Sequence, residues 1–196
     1  MLEEQLSSNQ YCSVSGKSVL EAVSVLRNVV ALAELRRTPL CLLSLHFRSA
    51  FGYISHCYLF HILVRYGIRA WIIYRILSMY GNATASPQQI NGALADPIPF
   101  QSVIRQECPL SMALYALCVH PLLPTLEGPL TGVSIGTRGK RISVLAYDDD
   151  ITVFPSNLED IEKVHHAIRI YERATGTQLN PNKSRALAVG VCRSRL

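Results

Sequence analysis

Val144-Leu145-Ala146-Tyr147-Asp148-Asp149-Asp150-Ile151-Thr152-Val153-Phe154 sets three consecutive carboxylates between two short apolar runs. The flanking runs have the length and composition of buried strands, which puts the acids at a strand-to-strand turn. Like charges crowded there repel one another and resist desolvation unless a cation shares the site. Hard divalent ions such as Mg²⁺ take one or two carboxylates and complete their shell with substrate phosphates. Nucleotidyl transfer uses two such ions roughly 3.5–4 Å apart. Aspartate also favours exposed turns. The residues alone leave a metal site and a solvated hairpin both open.

Working outward, strands and helices interleave. Before the turn, Gly132 to Ile135 and Arg141 to Tyr147 read as strands joined at Thr137-Arg138-Gly139-Lys140. Pro109 opens a helix where proline is tolerated, running through Leu114 and Leu117 towards Pro121. After the turn, Ser156-Asn157-Leu158-Glu159 has the form of a capping box for a helix ending before Gly176, and Ser184 to Val189 reads as a last strand. Towards the N-terminus, Ser18 to Leu35 is apolar at helical spacing, and Leu40 to Leu45 is a short run suited to a strand buried on both faces. Helices follow from about Ser55 to Tyr66, stopped by Gly67, and from about Arg69 to Tyr80, stopped by Gly81. The polar segment Asn82 to Ile104 fits short strands and loops. The pattern predicts an α+β or mixed α/β layer fold.

The chain has 196 residues, enough for one domain with a hydrophobic core. Hydrophobic residues make up 49% and charged residues only 17%, so it has more apolar surface to hide than a self-contained domain usually does. The net charge of +5 suits a polyanionic partner. Its distribution says more. No Asp or Glu lies between Leu35 and Ala95, while Arg36, Arg37, Arg48, Arg65, Arg69 and Arg75 do. Such a stretch is either a phosphate-facing surface or a set of solvated arginines around a core. The six cysteines show no metal-ligand spacing and read as reduced core residues. The N-terminus does not read as a signal peptide, and Ser111 to Leu126, the longest uncharged apolar run, is short for a bilayer. An intracellular protein, nuclear or cytoplasmic and off the membrane, is the expectation.

Five motifs in order resemble the reverse transcriptase domain of non-LTR, LINE-type retrotransposons. Ala146 to Ile151 resembles A-Y-A-D-D-I. Arg105-Gln106-Glu107-Cys108-Pro109-Leu110-Ser111 resembles R-Q-G-C-P-L-S. Ser44-Leu45-His46-Phe47-Arg48-Ser49-Ala50-Phe51-Gly52 resembles S-L-D-F-x-x-A-F-D. Gly176-Thr177-Gln178-Leu179-Asn180-Pro181-Asn182-Lys183-Ser184 resembles G-x-x-L-N-x-x-K-S, and Asn9-Gln10 with Gly16-Lys17-Ser18 resembles N-Q…G-R-S. The resemblance implies a single domain over residues 1–196, with a fingers portion over about 1–38 and the palm with the remaining fingers over about 39–190. The palm is expected as an antiparallel sheet backed by helices; no thumb or endonuclease is legible.

The resemblance also implies roles. Asp149 and Asp150 are the inherited metal-binding and catalytic pair, for Mg²⁺. Phe51 is the gate against a ribose 2′-OH, Gln106 contacts the incoming nucleotide, and Lys183 and Lys17 approach its phosphates. Without the resemblance, Phe51 reads as a core aromatic and Lys183 as a solvated loop lysine. The implied partners are an RNA template, a DNA primer and deoxynucleoside triphosphates. Four positions depart from the pattern. His46 stands where the family has the aspartate that bridges both metals, and an imidazole offers one lone pair to one ion. Gly52 replaces an acid, Glu107 a glycine beside the nucleotide, and Asp148 a small residue at the turn. The expectation is a fold that survives with polymerisation lost or much reduced; the alternative is a non-catalytic nucleic-acid-binding remnant.

Overall fold

The computed structural model describes residues 9–12, 14, 16–48, 52–81, 84–85, 89–90, 93–94, 98–99, 109–135 and 140–190. In chain order these form α1 (Val19–Leu35), β1 (Leu40–Arg48), α2 (His56–Arg65), α3 (Ala70–Gly81) and four two-residue strands, β2 (Thr84–Ala85), β3 (Gln89–Ile90), β4 (Ala93–Leu94) and β5 (Ile98–Pro99). They continue with α4 (Pro109–Val119), α5 (Leu122–Glu127), β6 (Val133–Ile135), β7 (Lys140–Ile142), β8 (Val144–Tyr147), β9 (Asp150–Val153), α6 (Leu158–Thr175), β10 (Gln178–Leu179) and β11 (Arg185–Val189).

The helix ends follow local chemistry. Ser18 and Ser55 cap α1 and α2, their hydroxyls accepting from the N–H groups of Glu21 and Tyr58. At α6 the cap sits one residue later than the Ser156–Glu159 box predicts. Asn157 accepts from the Asp160 N–H at 2.7 Å, and the buried Asp160 carboxylate reaches back to the Ser156 N–H at 3.0 Å. The Asn–Asp pair wins because Asp160 is the acid that faces inward, 1% exposed. Gly176, at φ 86°, closes that helix in the left-handed region.

The central sheet is antiparallel. β1 pairs with β9 on one side; on the other it pairs with β11 along Leu40–Ser44 and with β10 at Phe47 and Arg48. β9 pairs in turn with β8. The outer edge of β8 is held by the N-terminal segment: Ala146 N–H donates to Asn9 and Tyr11 N–H donates to Ala146. The run expected as one strand over Arg141 to Tyr147 is two. β7 pairs with β6 in a separate hairpin, and the chain crosses to the main sheet at the buried Ser143.

Alternation along the strands gives the sheet two faces. Leu45, Phe47, Val144, Ala146, Ile151 and Val153 join α2 to α6 in one core. Leu40, Leu145 and Val189 join α1 and Tyr11 in a second. Fully buried Leu59, Leu63, Leu122, Leu123 and Leu126 contribute roughly 1.5–3 kcal/mol each to the larger core. Its hydroxyls are mostly paired: Tyr58 donates to the Cys118 carbonyl, Tyr66 bonds to His120, and Tyr80 bonds to Ser111. The stretch Leu110–Glu127 is apolar and long enough by composition to cross a membrane, but 56% of it is buried inside the molecule. It is broken between α4 and α5 at His120 and Pro121.

Candidate active site at the acidic turn

The expected turn is there. Tyr147 and Asp150 are the last paired residues of β8 and β9, which leaves Asp148 and Asp149 as a two-residue hairpin loop. Asp148 has φ 54°, and Asp149 is not in the positive region. A left-handed conformation at the first loop position is usual for glycine and tolerated by aspartate.

Asp150 is a strand residue with two neighbours, Tyr147 on β8 and His46 on β1. Directly opposed residues point to one face of a sheet, so Tyr147, Asp150 and His46 form a row across it. That face is the one α1 covers further along the strands, at Leu42 and Leu145. Around the row the cover stops. The side chains of His46 and Asp150 are 27% and 70% exposed, and His46 Nδ1 lies 3.7 Å from Asp150 Oδ1. This contact is beyond hydrogen-bond length.

The loop after β10 fixes His46 from the other side. Asn180 N–H donates to the His46 carbonyl at 2.7 Å, His46 N–H donates to Ser184 Oγ at 3.1 Å, and Ser184 Oγ donates to the Asn180 carbonyl at 2.9 Å. This gives the Asn180 and Ser184 positions of the fourth motif a physical task. They clamp the backbone of residue 46 whatever its side chain. Lys183 is exposed on the same loop, one residue from that clamp. Lys17 is on the other flank, where its ammonium donates to the Gln10 carbonyl at 2.8 Å and sits 4.9 Å from the Tyr11 ring centre. Phe51, Gln106 and Glu107 lie outside the described residues.

The sequence reading missed Tyr115. It is 2% exposed on α4, and its hydroxyl is pushed well above its ordinary pKa by burial and then by Asp149, Asp148, Cys118 and Asp150. The charges of all three acids reach it. Its place in an apolar helical run gave no signal of this. Asp148 is also raised from its ordinary range, first by burial and then by Asp149 and Asp150. Asp148 is therefore partly desolvated beside two like charges.

The donor set is a poor fit for two divalent ions. Among the described residues no group of three His, Cys, Asp or Glu side chains is placed to hold a metal. Position 46, where the motif resemblance leads one to expect a carboxylate, carries an imidazole, which lacks both the charge and the second oxygen of a carboxylate.

The chain matches, over residues 1–191, the family described as "Reverse transcriptase (RNA-dependent DNA polymerase)". It is 30% identical over 190 residues to the transposon TX1 uncharacterized 149 kDa protein of Xenopus laevis, covering 97% of this chain and 14% of that protein. It is 24% identical over 180 residues to a Pol polyprotein from the type-1 retrotransposable element R2 of Popillia japonica, covering 90% and 29%. The chain thus spans less than a third of the length of these relatives. Among solved structures it is similar to telomerase from Candida tropicalis in complex with a fragment of telomeric RNA, at TM-score 0.67 and 13% identity, covering 92% of this chain and 30% of that one. Telomerase from Candida albicans is similar at TM-score 0.64 and 11% identity, covering 87% and 30%. At these identities the structures speak for the fold.

Proposed function

Since this chain belongs to the reverse transcriptase (RNA-dependent DNA polymerase) family, we propose that it is the palm and part of the fingers of a retrotransposon polymerase whose own catalytic site is impaired. The fingers portion spans about residues 1–38, and the palm with the remaining fingers about 39–190. The partners of this reading are an RNA template, a DNA primer and deoxynucleoside triphosphates, laid against the open sheet face. Divalent ions are general in the family; Asp149 and Asp150 are the carboxylates left to hold Mg²⁺ here. Phe51, Gln106, Lys183 and Lys17 keep the nucleotide-facing roles their motifs imply.

One observation carries the impairment: His46, clamped by Asn180 and Ser184 into the row with Asp150, puts an imidazole 3.7 Å from that carboxylate. The test is primer extension on an RNA template with Mg²⁺ and with Mn²⁺. Extension is expected to be absent or lower by orders of magnitude than for an intact relative. Robust extension by this chain overturns the reading. Joined to a thumb, the double variant His46→Asp with Glu107→Gly is expected to regain measurable extension. The second reading, a nucleic-acid-binding remnant, predicts binding without extension, with affinity falling steeply as salt rises.

A further inference from the structure

The helical layer behind the sheet carries an exposed face that the acidic turn does not use. Helix α3 buries Ile73, Ile76 and Tyr80 against the larger core, which fixes its inward side. Its opposite side carries Trp71, Tyr74, Arg75 and Ser78 at helical spacing, all exposed. Trp71 is 63% and Tyr74 71% exposed, in each case the greater part of a large ring. Burial of such rings is worth several times that of an ordinary surface contact, so leaving two of them in water one turn apart is costly unless something covers them.

The charge around them says what kind of partner fits. Arg69 and Arg75 flank the two rings, and Arg65 ends α2 just before. No acid occurs in the sequence from residue 36 to residue 94. Among the described residues none of these three arginines makes an ion pair. A protein partner chosen for apolar contact does not require a one-signed rim. A strand of nucleotides does, because its bases stack on ring faces while its phosphates meet cations. Trp71 and Tyr74 are separated by a rise of about 4.5 Å along the helix, a spacing suited to neighbouring unstacked bases.

We propose that the outward face of α3 is a stacking platform for single-stranded nucleic acid, separate from the acidic turn and on the opposite side of the central sheet. Trp71 and Tyr74 carry the bases; Arg65, Arg69 and Arg75 carry the phosphates. The proposal does not depend on polymerisation, so loss of extension and loss of this contact are distinguishable.

Trp71 is the single tryptophan of the chain, so its emission reports this face alone. The full chain is titrated with a short oligouridylate and with the matching oligothymidylate, reading Trp71 emission and, with labelled strands, fluorescence anisotropy. Both are expected to show saturable binding with quenching of Trp71. Trp71→Ala and Tyr74→Ala each lower affinity at least about fivefold, and Trp71→Phe retains most of it. Arg69→Ala with Arg75→Ala lowers the slope of log affinity against log salt by about 1.4. Circular dichroism checks that the variants fold. Absence of binding, binding that leaves Trp71 emission and the Trp71→Ala affinity unchanged, or a Trp71→Ala variant whose only change is loss of self-association on sedimentation overturns the proposal.

Discussion

On the side of the sheet that meets α2 to α6, Phe47, Val144, Ala146, Ile151 and Val153 are each at most 2% exposed. One residue along from Phe47, Ile151 and Ala146, the same strands turn His46, Asp150 and Tyr147 to the other side, where Asp150 is 70% and Tyr147 36% exposed. The strands are the same; the constraints on their two faces are not. Packing holds the inward residues, because any change of volume is felt by many neighbours. The open row is held at the backbone by the register of β9 with β1 and β8 and by the Asn180–Ser184 clamp, both indifferent to the side chain. The side chain at position 46 can therefore change while the fold is kept.

The largest expected effect tests that contrast on adjacent residues. Phe47→Ala removes a ring that packs edge-on to Tyr171 with centroids 5.6 Å apart. It should cost about 3–5 kcal/mol in urea-induced unfolding. His46→Ala and Asp150→Asn should each stay within about 0.5 kcal/mol of the parent. Equal losses at positions 46 and 47 would break the comparison.

A smaller effect, of opposite sign, is expected at the turn. Asp148→Gly relieves a left-handed backbone and removes one of three crowded charges. It should raise stability by about 1 kcal/mol, a rise of roughly 2–4 °C in Tm. Asp148→Val, with a branched Cβ at the same φ, should lower it.

The smallest effect concerns pH within the helical layer. His120 bonds to Tyr66, and burial lowers its pKa from 6.5, opposed by Glu127. The folded state thus prefers the neutral ring. Its contribution is full above pH 6.5 and is lost as pH falls from there through the depressed folded value. Thermal unfolding of His120→Gln beside the parent should show a shallower acid-side decline for the variant.

Much of this was legible because it is local. Ser55, Gly67 and Gly176 mark helix ends through their own backbone chemistry, and three adjacent acids announce a turn. What could not be read depends on residues far apart in sequence. The hold of Asn9 and Tyr11 on Ala146 joins positions more than 100 residues apart, and no local pattern encodes it. The split of Arg141 to Tyr147 arises from sheet switching at Ser143, which leaves the apolar pattern unbroken. The one-residue shift of the α6 cap turned on whether Glu159 or Asp160 faces inward. Tyr115 reads as any core tyrosine in its apolar run, and only the folded chain brings it within reach of the charges of the acids.

Strand β1 lies between β9 on one side and β10 and β11 on the other, all of which are made more than 100 residues after it. During synthesis at roughly 5–20 residues per second, Leu40 to Leu45 waits about 5–20 s for its first partner and longer for its second. That segment is uncharged and rich in leucine, the kind of run that pairs with other chains when left exposed. For this protein the hazardous interval is on the ribosome, before Arg185–Val189 emerges to cover the second edge.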